Sequence, residues 1–444
     1  MQFPDKGASR EDLTSRLGEA ISRDADWRGG KIFSLVYFAG DDVAEVLKEA
    51  YTTAFYSNGL GPAAFKSLKK FESEVIGMTA GLLNHSEAAG NMTSGGTESI
   101  LMAVKTARDW ARAEKGITTP QMIVPITAHP AFDKAAHYLG VDVVHTPLRD
   151  DLRADVGAMR DAITEDTILL VGSAPCYPFG VIDPIPEIAA LAAELGILCH
   201  VDACLGGYLL PFVERLGRPV SAPWDFRVDG VTSISADLHK YGYSARGASA
   251  VLYRDRELRR HQFFSTSDWP GGLYGSPTLA GSRPGGAIAA AWAVLNYLGV
   301  EGYTRLTRTV MDTTDAIKDG INSIPDLQVI GDPEMSVFAF ASETLDIHAV
   351  ADVLDEAGWH PDRQQYPASL HIMVTPAHEN AVRPFLAALK GAVERVRTEG
   401  AVPSGKAAVY GMLEKMPDRG QVQNVVLDSM DRLTQVKQDA PSRD

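Results

Sequence analysis

The chain has 444 residues, a length typical of roughly two or three domains, and its 45% hydrophobic and 22% charged residues exclude wholesale disorder. Asp and Glu number 57 against 42 Lys and Arg, which gives a formal net charge of −15. This acidity excludes a general nucleic-acid binder, because phosphate backbones require a basic surface, although a local cationic pocket remains compatible with it. Three cysteines without a CxxC pair favour a reducing, cytoplasmic location over a disulfide framework.

Two segments bear on export and membranes. Residues 1–28 carry scattered charges and lack the apolar core of a signal peptide. The most apolar run, from Gly285 to Val300, contains Asn296 and is too short and glycine-rich to span a bilayer. We therefore predict a buried helix at that run and no transmembrane segment.

The middle of the chain alternates strand and helix patterns. A helix with one apolar stripe is predicted from Thr97 to about Lys115. Between residues 121 and 255, short β-branched runs then alternate with helical patterns, which predicts an α/β fold with a mostly parallel central sheet and helices on both faces. Ligands of such sheets bind beyond the carboxyl ends of the strands. The strands are predicted at Met122–Ile126, Val141–Thr146, Ile168–Ser173, Ile197–Val201, Val231–Ser235 and Ser249–Tyr253, and the helices at Ala131–Leu139, Val156–Ile163 and Pro184–Leu195.

The pattern changes after a glycine- and proline-rich loop at residues 269–286. A long helix is predicted to begin near Ala287, and from about residue 326 the pattern is typical of a smaller α+β domain. We predict an N-terminal segment at 1–60, a large domain at 61–300 and a small C-terminal domain at 301–444. Within the last, strands are predicted at Leu327–Ile330, Val337–Ala341 and Leu370–Val374, and helices at Ile347–Ala357 and Asn380–Arg397.

A glycine pair stands just before the helix at Thr97, in the run SGGTES at residues 94–99. Glycines let backbone amides approach an anion closely, and a helix N-terminus adds a partial positive charge. The run therefore predicts a phosphate cradle, with Ser94 and Thr97 as hydroxyl donors. It lacks a Walker lysine and a GxGxxG pattern. A simple N-cap at either hydroxyl residue stays an alternative.

Asp202 ends a strongly apolar strand, within the run CHVDAC at residues 199–204. A buried carboxylate is costly unless a cation faces it, and a protonated ring nitrogen would be such a cation. A metal site that combines Asp202 with Cys199, His200 and Cys204 is disfavoured, because strand alternation points Cys199 away from the others. We expect no metal, and a core aspartate with satisfied hydrogen bonds stays an alternative.

Lys240 follows the next apolar strand, in the run DLHKYGY at residues 237–243. Partial desolvation there favours the neutral amine, the form that attacks a carbonyl to make a Schiff base. His129 follows the first predicted strand, where its ring can lie on a pyridine face. A surface lysine and a helix-capping histidine are the alternatives. A phosphate, a basic ring nitrogen and an aldehyde occur together in pyridoxal 5'-phosphate, which is therefore the predicted cofactor.

These motifs resemble those of the pyridoxal-phosphate-dependent sphingosine-1-phosphate lyases, within the group II decarboxylase family. The resemblance runs from about Phe33 to Leu433. Together the stretches are highly specific, whereas SGGTES and HVDA alone would indicate only the wider decarboxylase group. They are MTSGGTESILMA (92–103), AFDKAAHYLG (131–140), HVDACLGG (200–207), DLHKYGY (237–243), SPTLAGSRPG (276–285), LHIMVT (370–375) and YGM (410–412).

The resemblance implies a fold-type I pyridoxal-phosphate enzyme. It would cleave the C2–C3 bond of a phosphorylated sphingoid base in the retro-aldol sense, giving a long-chain aldehyde and phosphoethanolamine. In this family Lys240 would bind the cofactor aldehyde, Asp202 would pair with the pyridine nitrogen and His129 would stack on the ring. The implied ligands of the cofactor phosphate are Gly95, Gly96, Thr97 and His239.

The resemblance also implies partners and substrate contacts. Gly281 and Ser282 match a segment that reaches the cofactor phosphate of the neighbouring subunit, which implies a homodimer with shared active sites. Arg246 stands where the family has a lysine, keeps the positive charge and is the first candidate for the substrate phosphate. Gly61 replaces a family histidine, so that contact is missing. The implied substrate-lining tyrosines are Tyr37, Tyr177 and Tyr410, and the candidates for proton transfer are Tyr177, Tyr410, His200 and Lys240.

Two other functions remain open at this stage. An amino-acid decarboxylase of the glutamate or aromatic type would need a site for a substrate carboxylate rather than a phosphate. The stretches at 276–285 and 410–412 favour the lyase over that alternative. A non-enzymatic relative that binds the cofactor structurally is disfavoured by the presence of Lys240, Asp202 and His129.

Overall fold

A central sheet of seven strands organises the chain, in a computed structural model that describes residues 3–400 and 419–435. The strand order is β1-β7-β6-β5-β4-β2-β3. The strands from β2 to β6 pair in parallel, whereas β7 runs antiparallel to both β6 and β1. The bounds are β1 Ala89–Thr93, β2 Gln121–Pro125, β3 Asp142–Thr146, β4 Thr167–Ser173, β5 Leu198–Asp202, β6 Ser233–Ala236 and β7 Ser249–Tyr253.

Alternation along the strands buries both faces of this sheet. Ile123 and Leu170 belong to one apolar cluster, whereas their neighbours Met122 and Leu169 belong to a second cluster. Helices cover both clusters, as the βαβ rhythm requires. The helices up to the end of the sheet are α1 Arg10–Ile21, α2 Asp41–Thr53, α3 Lys66–Leu82, α4 Gly96–Lys115, α5 Ala131–Leu139, α6 Val156–Asp161, α7 Ile185–Leu195, α8 Leu210–Arg215 and α9 Arg256–Arg260.

A smaller antiparallel sheet follows, with strand order β10-β11-β13-β12. It has its own core, which Phe33 from the N-terminal part of the chain also enters. A separate hairpin of two strands, β8 and β9, lies between the two sheets in the sequence. The bounds are β8 Phe264–Thr266, β9 Tyr274–Ser276, α10 Gly285–Asn322, β10 Gln328–Val329, β11 Val337–Ala341, α11 Ile347–Glu356, β12 Asp362–Gln365, β13 Ala368–Met373, α12 Val382–Glu399 and α13 Arg419–Thr434.

The predicted fold class is confirmed, namely a mostly parallel sheet with helices on both faces and a smaller C-terminal α+β unit. The apolar run from residue 285 is the start of α10, a helix that is interrupted at Gly299. The sequence patterns missed β1, β12 and the hairpin β8–β9. The division of the chain at residues 60 and 300 stays a prediction.

Over residues 3–400 and 419–435, no helix combines the length and apolarity that crossing a bilayer requires.

Candidate active site

The loop between β1 and α4 forms the predicted anion cradle. The helix begins at Gly96, so its first backbone amides have no carbonyl partner within the helix. A Cβ atom on Gly96 would come within 2.8 Å of Asp237 Oδ2 and Cys204 Sγ, and one on Gly95 within 3.2 Å of the His239 ring. Only glycine at these two positions therefore leaves the amides open to a ligand.

Glu98 closes the far side of this cradle. Its Oε2 accepts hydrogen bonds from the backbone N–H and the hydroxyl of Ser94, at 2.7 and 2.6 Å. Its Oε1 accepts one from the backbone N–H of Leu279, at 3.0 Å. The Ser94 hydroxyl, predicted as an anion donor, is therefore already engaged within the loop. Thr97 keeps its place at the cavity wall.

Lys240 forms an ion pair that the sequence analysis did not anticipate. Its Nζ lies 3.0 Å from Oδ2 of Asp237, a carboxylate with 1% exposed side chain. Burial lowers the pKa of the amine, but the acidic groups around it, Asp237 first among them, together hold that pKa above its usual value. Burial likewise raises the pKa of Asp237, and Lys240 and His239 bring it below its usual range. The expectation that desolvation leaves a neutral amine was therefore wrong for this structure, because a buried carboxylate faces the ammonium.

His239 lies beside the same carboxylate. Its Nε2 is 3.6 Å from Asp237 Oδ2, and its Nδ1 accepts a hydrogen bond from the backbone N–H of Ala248. An accepting Nδ1 places the proton of the neutral ring on Nε2. That proton is available to an anion in the cradle formed by Gly95 and Gly96.

Asp202 occupies the carboxyl end of β5, as predicted. Its Oδ1 accepts hydrogen bonds from the backbone N–H of Cys204, at 3.0 Å, and from the hydroxyl of Ser235, at 3.3 Å. Ser235 stands opposite Asp202 in the register of β5 and β6. These contacts fix the carboxylate at the cavity wall, where it can pair with a cationic group.

Two histidines near Asp202 differ in access. His129 lines the cavity, and its Nδ1 accepts the backbone N–H of Ala131 at 3.1 Å. Burial lowers the pKa of His129, and Asp202 partly offsets that effect. His200 is fully buried between β5 and β6, with hydrogen bonds to Ser233 and Ser235, and burial lowers its pKa to about 4. His200 does not reach the cavity and is poorly placed for proton transfer.

Eight of the residues that the family resemblance implies for the site line one cavity of about 370 Å³. This volume lies within the roughly 300–1,000 Å³ of small-molecule sites. These groups match the parts of pyridoxal phosphate. The open amide cradle fits its phosphate, and the carboxylate at a strand end fits its ring nitrogen. The histidine ring fits the face of its ring, and the lysine amine fits its aldehyde. The eight residues are Gly95, Gly96, Thr97, His129, Tyr177, Asp202, His239 and Lys240.

Tyr177 belongs to a polar cluster between the two sheets. Its hydroxyl donates to Asp362 Oδ2 at 3.0 Å, and its ring stacks on His371 with centroids 4.1 Å apart. His371 Nε2 in turn bonds the backbone carbonyl of Tyr177 at 2.9 Å. Burial lowers the pKa of His371 to about 4, so the ring is neutral at pH 7. The small sheet thus orients the hydroxyl of Tyr177 beside the cavity.

Tyr37 and Arg246 lie next to the cavity without lining it. The Arg246 guanidinium stands 5.5 Å from the centroid of the Tyr37 ring, a cation–π arrangement. The Tyr37 hydroxyl donates to the sulfur of Met373, and its ring packs edge-on against Tyr241. Burial raises the pKa of Tyr37, which Arg246 partly offsets.

The remaining predicted residues lie elsewhere. Gly281 and Ser282 do not line the cavity of their own chain, and Ser282 accepts a hydrogen bond from Asn58 at 3.0 Å. Tyr410 lies outside the described residues. A Cβ on Gly61 would meet Phe65 only at an ordinary 3.8 Å, so space is free where the family carries histidine. The part of the chain that the structure describes holds no group of three His, Cys, Asp or Glu side chains arranged for a metal ion.

Three residues of this site escaped the sequence analysis. Asp237 stands three positions before Lys240, and its place at the end of β6 was a signal that could have revealed it. Glu98 is the third residue of α4, a position from which a carboxylate commonly reaches back to the backbone before a helix start. Asp362 had no such signal, because β12 approaches Tyr177 only through the tertiary fold.

Known proteins share this architecture. The model of the pyridoxal-dependent decarboxylase conserved domain matches residues 8–343. A sphingosine-1-phosphate lyase of Oryza sativa subsp. japonica is 46% identical over 440 residues, which cover 97% of this chain and 81% of the relative. The chain belongs to the pyridoxal-dependent decarboxylase family, in its sphingosine-1-phosphate lyase group.

Solved structures support the same family at two distances. The sphingosine-1-phosphate lyase of Burkholderia pseudomallei superposes with a TM-score of 0.91 at 38% identity and covers 98% of both chains. A glutamate decarboxylase of Lactobacillus brevis superposes with a TM-score of 0.78 at 18% identity, covering 90% of this chain and 95% of that one, and shares the fold alone. The pyridoxal dependence of the family confirms pyridoxal 5'-phosphate as the cofactor, and the residues of the cavity fit it.

Proposed function

We propose that this protein is a pyridoxal-phosphate-dependent lyase that splits phosphorylated sphingoid bases between C2 and C3. The products are a long-chain aldehyde and phosphoethanolamine. The observation that carries the proposal is the single cavity shared by Lys240, Asp202 and the glycine cradle, in a chain 46% identical to a sphingosine-1-phosphate lyase. A decarboxylase has only a distant structural likeness in its favour.

The cavity residues would hold the cofactor by complementary chemistry. The amides at Gly95 to Thr97 and the Nε2 proton of His239 would bind its phosphate, and His129 would cover one face of its ring. Asp202 would keep a proton on the ring nitrogen. When bound, pyridoxal phosphate supplies an aldehyde for amines and a conjugated ring that accepts the electron pair of a broken bond.

Proton transfer falls to groups that face the cavity. Lys240 would hold the aldehyde of the cofactor, and Asp237 would provide an ion-pair partner for the amine when it is free. The C3 hydroxyl of the substrate must lose its proton as the C2–C3 bond breaks. Tyr177 is our candidate for that proton, because Asp362 orients its hydroxyl beside the cavity. Tyr410 stays a further candidate.

Arg246 is the proposed ligand of the substrate phosphate. A guanidinium presents planar donors that match two phosphate oxygens at once. The Tyr37 ring supports one face of that guanidinium. Arg246 lies beside the cavity rather than in its wall. This position suits a substrate whose phosphate extends away from the reacting carbons.

We also propose a homodimer in which Gly281 and Ser282 reach the cavity of the partner. Both residues lie outside the cavity of their own chain, although Glu98 ties their loop to the cradle through Leu279. The neighbouring surface exposes large apolar side chains, which favours burial against a second copy. These side chains are Phe263, Phe264, Trp269, Leu273 and Leu279.

A cytoplasmic location is proposed on the state of the cysteines. All three are buried free thiols, as is common where cellular reductants prevent disulfides. Recovery of the protein with the cytoplasmic fraction of producing cells supports this location, and recovery with the periplasmic fraction contradicts it.

Turnover of sphingosine 1-phosphate tests the function. We expect the purified, cofactor-loaded protein to release fatty aldehyde and phosphoethanolamine, detected by mass spectrometry, without releasing carbon dioxide from glutamate or aromatic amino acids. Lys240→Ala should abolish turnover, because no other lysine lines the described cavity. Lys134→Ala, on the exposed side of α5, is the matched control and should keep it. Release of carbon dioxide without aldehyde would instead identify a decarboxylase.

A further inference from the structure

We propose that an apolar groove beside the cavity binds the hydrocarbon chain of the substrate and of the leaving aldehyde. This inference rests on the proposed function and assigns the part of the substrate that no catalytic residue contacts. We call this apolar groove the alkyl groove. Its apolar walls are formed by Ile126, Ala128, Leu148, Leu152, Phe179 and Pro367.

The alkyl groove adjoins the cavity. His129 and Tyr177 line both, and the groove has a volume of about 610 Å³ beside the 370 Å³ of the cavity. A substrate whose amine reaches Lys240 and whose C3 hydroxyl reaches Tyr177 therefore has its chain directed past that tyrosine. The groove is the apolar space on that path.

The chemistry of the walls suits a hydrocarbon. Among the described residues that line the alkyl groove, none is Asp, Glu, Lys or Arg. Phe179 is 3% exposed and belongs to a small apolar cluster against which Leu148 and Leu152 pack. Arg246, the proposed phosphate ligand, does not line the groove, so the phosphate and the hydrocarbon chain of the substrate have separate binding positions.

The walls are held in place by polar contacts behind them. Leu152 adopts φ +66°, a left-handed conformation that leucine rarely takes, at a turn closed by its N–H on the Arg149 carbonyl at 2.9 Å. Arg153 anchors this turn through Glu334 at 2.8 Å. On the other wall, Gln364 donates to the Pro178 carbonyl at 3.0 Å. The turn thus holds a leucine at the groove where glycine would be less strained.

Burial of the hydrocarbon chain in the alkyl groove should make kcat/KM depend on the length of that chain. Each methylene removed from water is worth roughly fourfold in affinity, so kcat/KM should rise with chain length until the alkyl groove is full. Leu152→Gly removes one wall and relieves the backbone, so the fold is preserved. Leu35→Gly is the matched control, because Leu35 has φ +64° and does not line the groove.

The first measurement compares octyl and octadecyl homologues of the phosphorylated 2-amino-3-hydroxy substrate. In Leu152→Gly the preference for the longer chain should fall by about fifteenfold, the loss of roughly two methylene contacts. In Leu35→Gly it should stay as in the unsubstituted protein. Ile126→Glu, at a 60% exposed position, should also lower the preference by placing a charge in the groove. An unchanged preference in both groove variants overturns the proposal while leaving the proposed function intact.

The second measurement does not depend on turnover. A sphingoid-base phosphate with a diazirine at its chain end is photolysed on the cofactor-loaded protein, and labelled peptides are mapped by mass spectrometry. Labels at residues 148–152, 179 or 365–367 support the proposal, and labels confined to other segments overturn it. If no homologue is cleaved but these peptides are labelled, the proposed function fails and the alkyl groove stands. If Ile126→Glu dissociates a dimer without changing the chain preference, a second copy occupies the groove and the proposal is overturned.

Discussion

Asp237 connects the lysine amine and the histidine ring that we propose as cofactor ligands. Its buried carboxylate lies 3.0 Å from Lys240 Nζ and 3.6 Å from His239 Nε2. Its other oxygen has no hydrogen-bond partner among the described residues. One carboxylate therefore raises the pKa of the proposed covalent anchor and lies beside the proposed phosphate donor. We interpret Asp237 as a positioning residue that acts through both neighbours.

Asp237→Asn tests that interpretation. Without the carboxylate, burial alone acts on Lys240, and the pKa of its amine should fall. The midpoint in pH for capture of pyridoxal phosphate by cofactor-free protein should move down by about 1–3 pH units. The absorbance of bound cofactor after mixing gives the capture rate. Asp225→Asn is the control, because Asp225 is also a buried carboxylate but pairs with Arg227 away from the cavity. This variant should leave the midpoint unchanged. An equal midpoint in Asp237→Asn would contradict the interpretation.

At the scale of elements, α10 holds the N-terminal helices against the large core. The ring of Trp292 on α10 stacks on Phe71 of α3, and its indole N–H donates to Glu74 at 2.6 Å. At the start of α10, Gly286 faces the ring of Tyr51 on α2. A Cβ there would come within 2.8 Å of that ring. The close approach of α2 and α10 therefore requires glycine.

Gly286→Ala should destabilise the protein by about 1–3 kcal/mol, because the added methyl overpacks the contact between α2 and α10. Gly391→Ala is the opposite case. Its Cβ would meet nothing within 4 Å in the exposed middle of α12, so it should stabilise by about 0.5–1 kcal/mol. Thermal unfolding of the two variants gives the signs. A midpoint for Gly286→Ala at or above that of the unsubstituted protein would refute the close-packing argument.

At the scale of the whole molecule, the cavity and the exposed apolar surface lie on different elements. The cavity is built at the carboxyl ends of the central strands, whereas the hairpin β8–β9 and the loop after it carry exposed aromatic and leucine side chains. Leu273 is 87% exposed within this surface. A second copy that covers it would also bring the segment at residues 281–282 towards another cavity.

Light scattering should therefore give a mass of twice the 47.8 kDa of one chain. Leu273→Asp should lower that mass and the turnover together, since a charge in a buried apolar interface is costly. Leu195→Asp, at an exposed leucine near the end of α7, should change neither. A monomeric protein with full turnover would exclude shared active sites.

Much of the fold and site was readable from local patterns. The runs between residues 121 and 255 predicted every parallel strand. Burial on both faces gives the inner strands β2, β4, β5 and β6 a continuous apolar signature, and the β-branched pair Val143–Val144 marks the edge strand β3. The glycine pair, Asp202 and Lys240 were predictable because each follows a strand end. The edge strand β1 and the hairpin β8–β9 were missed, because short strands with few β-branched residues carry a weak pattern.

The sequence by itself determined the α/β class, the family and the chemical groups of the cavity, since these depend on residue type and on spacing within single elements. The tertiary structure alone decided how those groups act on one another. It brought Asp362 to Tyr177 across 185 residues of sequence, buried His200 away from the cavity and set Arg246 against Tyr37. It also placed the buried carboxylate of Asp237 beside Lys240, where it raises the pKa of that amine. The protonation of a group and the contacts that its side chain makes depend on through-space distances and on burial, which no local pattern encodes.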